Sequence, residues 1–207
     1  MKYQEWRTAA CDPAARRSME RAGVPPLAAL TLCARGLDTV EKARSFLDAG
    51  RGQLLEPRLM KDMDAAAARV RRALERGEQI AVYGDYDVDG ITATCLLTDF
   101  LRSEGGEVVP YIPDRMEEGY GLNREAVAAL HAQGVGLIIT VDCGITAVEE
   151  AAYAAALGVD VVITDHHECK EALPAALAVV DPRRPDCPYP FKCLAGVGVA
   201  LKLVLAL

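Results

Sequence analysis

The sequence predicts an α/β protein: a mostly parallel sheet with helices on both faces, preceded by a small helical attachment. Two observations carry this. Short apolar runs rich in Val and Ile recur at residues 80–83, 108–112, 137–141, 159–164 and 178–180, and helical stretches at about 91–104, 123–133 and 145–157 separate them. Strands of about five apolar residues alternating with helices of about a dozen indicate βαβ units, whose parallel sheet is buried on both sides. Residues 1–77, by contrast, contain no strand-like run.

Taken in order, Asp38 with Glu41 three residues later reads as a capping box opening a helix through Phe46 and Leu47. Residues 50–57 read as a linker. A second helix is expected over 63–76, with Gly77 as its stop. The division is therefore 1–77 for the attachment and 78–207 for the α/β domain, whose last stretch, 197–207, reads as an apolar helix.

Composition excludes several classes. The chain has 207 residues, enough for one good-sized domain and a small attachment. With 51% hydrophobic residues it is not a disordered chain, and with 5% aromatic its core is mostly aliphatic. Lys plus Arg number 23 and Asp plus Glu 30; the net charge of -7 argues against holding nucleic acid by bulk charge. The seven cysteines form no C-x-x-C pair, so neither a zinc ribbon nor a disulfide framework is indicated. The first six residues are too polar for a signal peptide, and no apolar run nears the ~18 residues of a membrane span. A reducing, cytoplasmic setting is expected.

The chemistry sits at the carboxyl ends of the predicted strands. Gly84-Asp85-Tyr86-Asp87-Val88-Asp89-Gly90 follows the first, Asp142-Cys143-Gly144 the third, and Asp165-His166-His167-Glu168 the fourth. Open α/β sheets place their ligands at that edge. In an extended stretch, Asp85, Asp87 and Asp89 would point to one side. Two carboxylates ~4 Å apart repel by about 4 kcal/mol at an effective dielectric of 20. A helix N-terminus returns only about 0.3–1 kcal/mol per charge. A bound divalent cation is the natural compensation, and aspartates with neutral imidazole suit manganese or magnesium.

Plainer readings account for less. One aspartate after a strand is often an N-cap, but three caps for one helix is not a sensible account of Asp85, Asp87 and Asp89. Asp85-x-Asp87-x-Asp89-Gly90 opens like a calcium-binding EF-hand loop, yet its twelfth position is Leu96 and a strand precedes it. Gly196-Val197-Gly198 hints at a dinucleotide fingerprint, but the third glycine position is Leu201. That turn would still offer free N–H groups to a phosphate at the start of the last helix.

The three acidic clusters resemble the first motifs of the DHH phosphoesterase superfamily. Ile112-Pro113-Asp114-Arg115, Glu118-Gly119-Tyr120-Gly121-Leu122-Asn123, Tyr189-Pro190-Phe191-Lys192 and Leu194-Ala195-Gly196-Val197-Gly198-Val199-Ala200 narrow the likeness to its bacterial single-stranded-DNA-specific exonucleases. The resemblance runs from about Arg35 to the last residue. It implies 5′-to-3′ degradation of single-stranded DNA in repair and recombination, with two divalent ions, Mn²⁺ or Mg²⁺, as cofactors. By motif, Asp85, Asp87, Asp89, Asp142 and His166 are the implied metal ligands, with Asp142 bridging; whether Asp85 or Asp89 touches an ion directly stays open. Asp142, His166 and His167 are the implied catalytic set, with His167 at the scissile phosphate or behind the ligands. Two ions ~3.5–4 Å apart acidify water and clamp a phosphate for in-line attack. Arg115, Lys192, Gly196 and Gly198 are the expected contacts to phosphate or flanking backbone, and Arg183 and Arg184 are further candidates. The family carries a fourth motif aspartate that this chain lacks, so the 207 residues read as an N-terminal fragment with weak metal binding and little nuclease activity alone. Two alternatives remain: a DHH phosphodiesterase for short oligonucleotides or cyclic dinucleotides, and a non-catalytic nucleic-acid-binding module.

Overall fold

The computed structural model describes residue 7, residues 9–48 and residues 50–207. The first six residues, read above as too polar for a signal peptide, lie outside the described residues. The chain forms two compact units, Met1–Leu55 and Glu56–Leu207.

The first unit contains helices α1 (Pro13–Arg21), α2 (Pro26–Ala34) and α3 (Val40–Leu47). Met19, Val24, Ala29, Leu32, Cys33 and Ala43 form its small core. Helix α3 appears where expected, but its cap is Thr39: the hydroxyl accepts from the Lys42 N–H. Asp38 instead pairs with the Lys42 ammonium at 2.7 Å. A one-residue shift in the start of the helix moves the capping role to the neighbouring side chain. Helices α1 and α2, both opened by proline, were not anticipated individually.

In the second unit a short 3-10 turn, Pro57–Leu59, precedes α4 (Met63–Arg76), which ends at Gly77 in the left-handed conformation. Strand β1 (Gln79–Tyr83), helix α5 (Val88–Ser103), β2 (Val108–Tyr111), α6 (Arg124–Ala132), β3 (Val135–Val141), α7 (Val148–Ala156), β4 (Asp160–Thr164), β5 (Ala178–Val180) and α8 (Gly196–Ala206) follow. All strand pairings are parallel, in the order β2-β1-β3-β4-β5. The period of two along each strand divides the side chains between two cores. Ile80, Val82, Leu137, Ile139, Val141, Val162 and Val180 meet α4, α5 and α8. Ala81, Tyr83, Ile138, Val161 and Ile163 meet α6 and α7.

The division at Leu55 differs from the expected boundary at 77. Helix α4 shares the sheet's core: Met63, Ala66, Ala67, Val70 and Ala73 are buried there. Arg69 adds ion pairs to Glu78 and to Asp160, at 2.6 and 2.5 Å. A helix can belong to an α/β layer without a strand before it.

The strand order places β2 on one side of β1 and β3 on the other. The turns leaving β1 and β3 therefore diverge to opposite faces and leave a crevice at the carboxyl edge, where doubly wound sheets hold ligands. Asp85 and Asp142 stand on its two sides.

Candidate metal centre

The turn after β1 sets the first group of ligands. Asp87, not a residue nearer Ile91, opens α5: its Oδ1 accepts from the N–H groups of Asp89 and Gly90, at 2.9 and 3.0 Å. The helix so begins three residues earlier than expected, and Asp89 lies in its first turn rather than in an extended run. Asp85 and Asp87 converge through a strand-to-helix bend, and Asp89 does not join them. Asp85 is buried, and its Oδ1 accepts from the Tyr86 N–H at 2.7 Å. Burial pushes its carboxyl pKa up against that hydrogen bond. Gly90 packs so close beneath Asp85 that a Cβ there would lie 2.5 Å from the Asp85 carbonyl oxygen.

Asp142 ends β3 in the left-handed region, at φ 61°, an uncommon conformation for a residue with a side chain. It is 1% exposed, and its Oδ1 has no aligned hydrogen bond among the described residues. His166 Nε2 stands 3.0 Å from that oxygen and 3.6 Å from Asp89 Oδ2. Burial first, then the charges of Asp89 and Asp87, push Asp142 up to about 7. Such a carboxylate is costly unless a cation meets it.

Two sets of donor atoms converge, each within 4.8 Å of one another: Asp85, Asp87 and Asp142 in one, Asp142, His166 and His167 in the other. Asp142 belongs to both. The orphaned Oδ1 and this oxygen-and-imidazole donor set fit a pair of divalent cations. Asp89 falls outside both sets, though it stands beside His166. Its oxygens accept from the Gly196 and Val197 N–H groups, at 2.8 and 2.7 Å. Those amides at the start of α8 are therefore not free for a phosphate, contrary to the expectation from the Gly196–Gly198 turn. Gly196 serves close approach instead: a Cβ there would overlap the Asp142 carboxylate.

Asp165 does supporting work. It is 1% exposed, and its carboxylate accepts from the N–H groups of Ile145, His166 and His167 and lies 2.7 Å from His167 Nδ1. Burial would raise its pKa, but these donors outweigh burial and hold it low. The same contact lifts His167 to about 9. Buried Cys143 and half-buried Cys169 lie near these carboxylates.

The remaining expected contacts are dispersed. The Arg115 guanidinium sits 5.0 Å over the Tyr86 ring at the site's rim. Its loop is pinned by Glu118, which accepts from the Asp114 N–H, the Tyr111 hydroxyl and Asn123, so much of that motif is scaffolding. Lys192 donates to the Cys187 carbonyl at 2.6 Å and lines another hollow with Arg183. Arg184 is buried, bonded to Asp62, Asp186 and the Val179 carbonyl, which makes it a structural clamp. Gly198 neighbours Leu194 rather than the acidic cluster. Sequence reading missed Asp181, fully buried after β5 and raised to about 7 by burial. Its place at a strand's carboxyl end was the available signal.

Residues 79–206 match the family model described as DHH family, N-terminal domain. The chain belongs to the DHH family. This DHH chain is 49% identical over 188 residues to the single-stranded-DNA-specific exonuclease RecJ of Bacillus subtilis, covering 91% of this chain and 24% of that protein. It is 39% identical over 187 residues to RecJ of Escherichia coli, covering 90% and 32%. The crystal structure of RecJ from Thermus thermophilus in complex with Mn²⁺ matches with a TM-score of 0.74 at 35% identity, over 97% of this chain and 28% of that one. A crystal structure of exonuclease RecJ bound to manganese gives 0.65 at 41% identity, over 71% and 37%. The DHH chain thus spans 24% to 37% of the length of these proteins. No helix among the described residues is long and apolar enough to cross a membrane.

Proposed function

We propose that this chain supplies most of the metal centre of a 5′-to-3′ exonuclease that hydrolyses single-stranded DNA in repair and recombination, in the cytoplasm. The observation that carries the reading is the sharing of Asp142 between two convergent donor sets. The RecJ relatives support the substrate class, and the manganese-bound RecJ structures support the cofactor.

In this reading Asp85, Asp87 and Asp142 hold one Mn²⁺ or Mg²⁺. Asp142 and His166 hold the other, with Asp89 at its flank through the lone pairs left free by the α8 amides. When bound, the cations supply Lewis acidity that activates water and neutralises charge on the phosphate. Asp165 fixes the His167 ring through Nδ1, which leaves Nε2 to donate to a phosphate oxygen. Arg115, stacked on Tyr86, offers its charge to the phosphate or flanking backbone. Lys192 and Gly198 meet DNA farther along, and Gly196 lets α8 close on Asp142.

The test is Mn²⁺ binding by this chain, together with release of mononucleotides from 5′-labelled single-stranded DNA by the protein containing it. No Mn²⁺ binding, or no mononucleotide release, rejects the reading.

A further inference from the structure

Against the metal centre lies a hollow of about 360 Å³, lined by Tyr120, Leu122, Ile145, Thr146, Glu150 and His167. We infer that this hollow seats one deoxynucleoside adjoining the phosphate held by the metal centre; the inference rests on the function proposed above.

The hollow's size sits at the small end of ligand sites, about 300–1,000 Å³, which suits one nucleoside and not a stacked pair. Its walls are chemically mixed in the way a base and sugar require. Leu122 and Ile145 are buried apolar groups, while Tyr120 is 53% exposed and meets His167 edge-on at 6.2 Å. Thr146 and Glu150 add a hydroxyl and a carboxylate at the start of α7, able to bond the polar edge of a base or a sugar hydroxyl.

The wall and the metal centre are joined through one carboxylate. Asp165 Oδ2 accepts from the Ile145 N–H at 2.9 Å, and its Oδ1 holds His167 Nδ1 at 2.7 Å. A phosphate at His167 and a nucleoside against Ile145 are therefore set at a fixed spacing by Asp165. A base inside this hollow cannot also be paired and stacked in a duplex, so the subsite favours an unpaired strand.

The experiment is calorimetric titration of the 207-residue chain with Mn²⁺, then with inorganic phosphate or 5′-dAMP in its presence. The nucleotide should bind at least about tenfold tighter than phosphate, the fold-change of roughly one stacked base. Thr146→Trp, filling the hollow from an exposed position, should remove that preference while Mn²⁺ and phosphate still bind. Glu150→Ala, a milder change, should weaken dAMP several-fold. If dAMP binds no tighter than phosphate, or Thr146→Trp and Glu150→Ala both leave the preference intact, the nucleoside subsite is overturned and the metal centre stands. Absence of Mn²⁺ binding overturns both.

Discussion

Asp142 and Asp165 end adjacent strands, and each is 1% exposed, yet they are opposites. Asp165 is surrounded by donors and held low; Asp142 keeps an oxygen without an aligned partner and is pushed up to about 7. Burial alone therefore says little about a carboxylate's role. Asp165, with its hydrogen bonds complete, is scaffolding, whereas Asp142, incomplete and gathered with other donors, is where a cation fits. Asp181 also keeps an oxygen unpartnered among the described residues but lies outside both donor sets.

Asp142→Asn should break the comparison most visibly. Mn²⁺ affinity should fall by more than about 100-fold, beyond the 10–100-fold range of residues behind the ligands. Stability of the metal-free chain at pH 8 should rise by about 1–3 kcal/mol, because a crowded negative charge is removed. Calorimetry and denaturant titration check the two halves; a loss of both affinity and stability would make Asp142 scaffolding too. Asp165→Asn should reverse the stability change and cost less affinity. Its amide puts an N–H where an acceptor is needed, so stability should fall by about 2–3 kcal/mol, while Mn²⁺ affinity drops about 10–100-fold at most.

What the sequence made legible follows from what was local. The strands of the sheet and the position of Asp85, Asp142 and His166 at their ends come from hydrophobic periodicity and chain order. Strand order is not local, so the crevice between β1 and β3 was invisible. Nor was the contact across 107 residues that joins Asp89 to the Gly196 N–H. Asp38 and Thr39 compete for one cap, and only the helix start decides between them. Asp181 went unread because it stands alone, with no second acid beside it in the chain.

The two glycines of α8 sharpen the same contrast. At Gly196 an added Cβ meets the Asp142 carboxylate, whereas at Gly198 the nearest atom is the flexible end of Leu194, at 3.2 Å. Gly196→Ala should displace α8, destabilise by about 1–3 kcal/mol and lower Mn²⁺ affinity. Gly198→Ala should stay within about 1 kcal/mol of the parent, since the gain in helix propensity offsets a small contact. Thermal melts of the two variants compare them directly.

A further expected effect concerns pH. Asp142 has a folded-state pKa near 7, above its ordinary 3.8. Between those values the native state binds a proton that the unfolded chain has released. The stability of the metal-free chain from this group is therefore full below about 4 and lost as pH rises through 7. Asp181, raised to about 7 as well, acts in the same direction. Metal binding needs Asp142 deprotonated, so Mn²⁺ affinity runs the other way and should rise about tenfold between pH 6 and 8. Asp181 lies outside both donor sets, so Asp181→Asn should reduce the first slope and leave the second intact. His167, held near 9 by Asp165, discriminates further. If it faces the phosphate as a cation, Mn²⁺ affinity levels off above pH 8. A second rise approaching pH 9 would mean that its neutral ring ligates the ion, and would move His167 from the substrate to the metal.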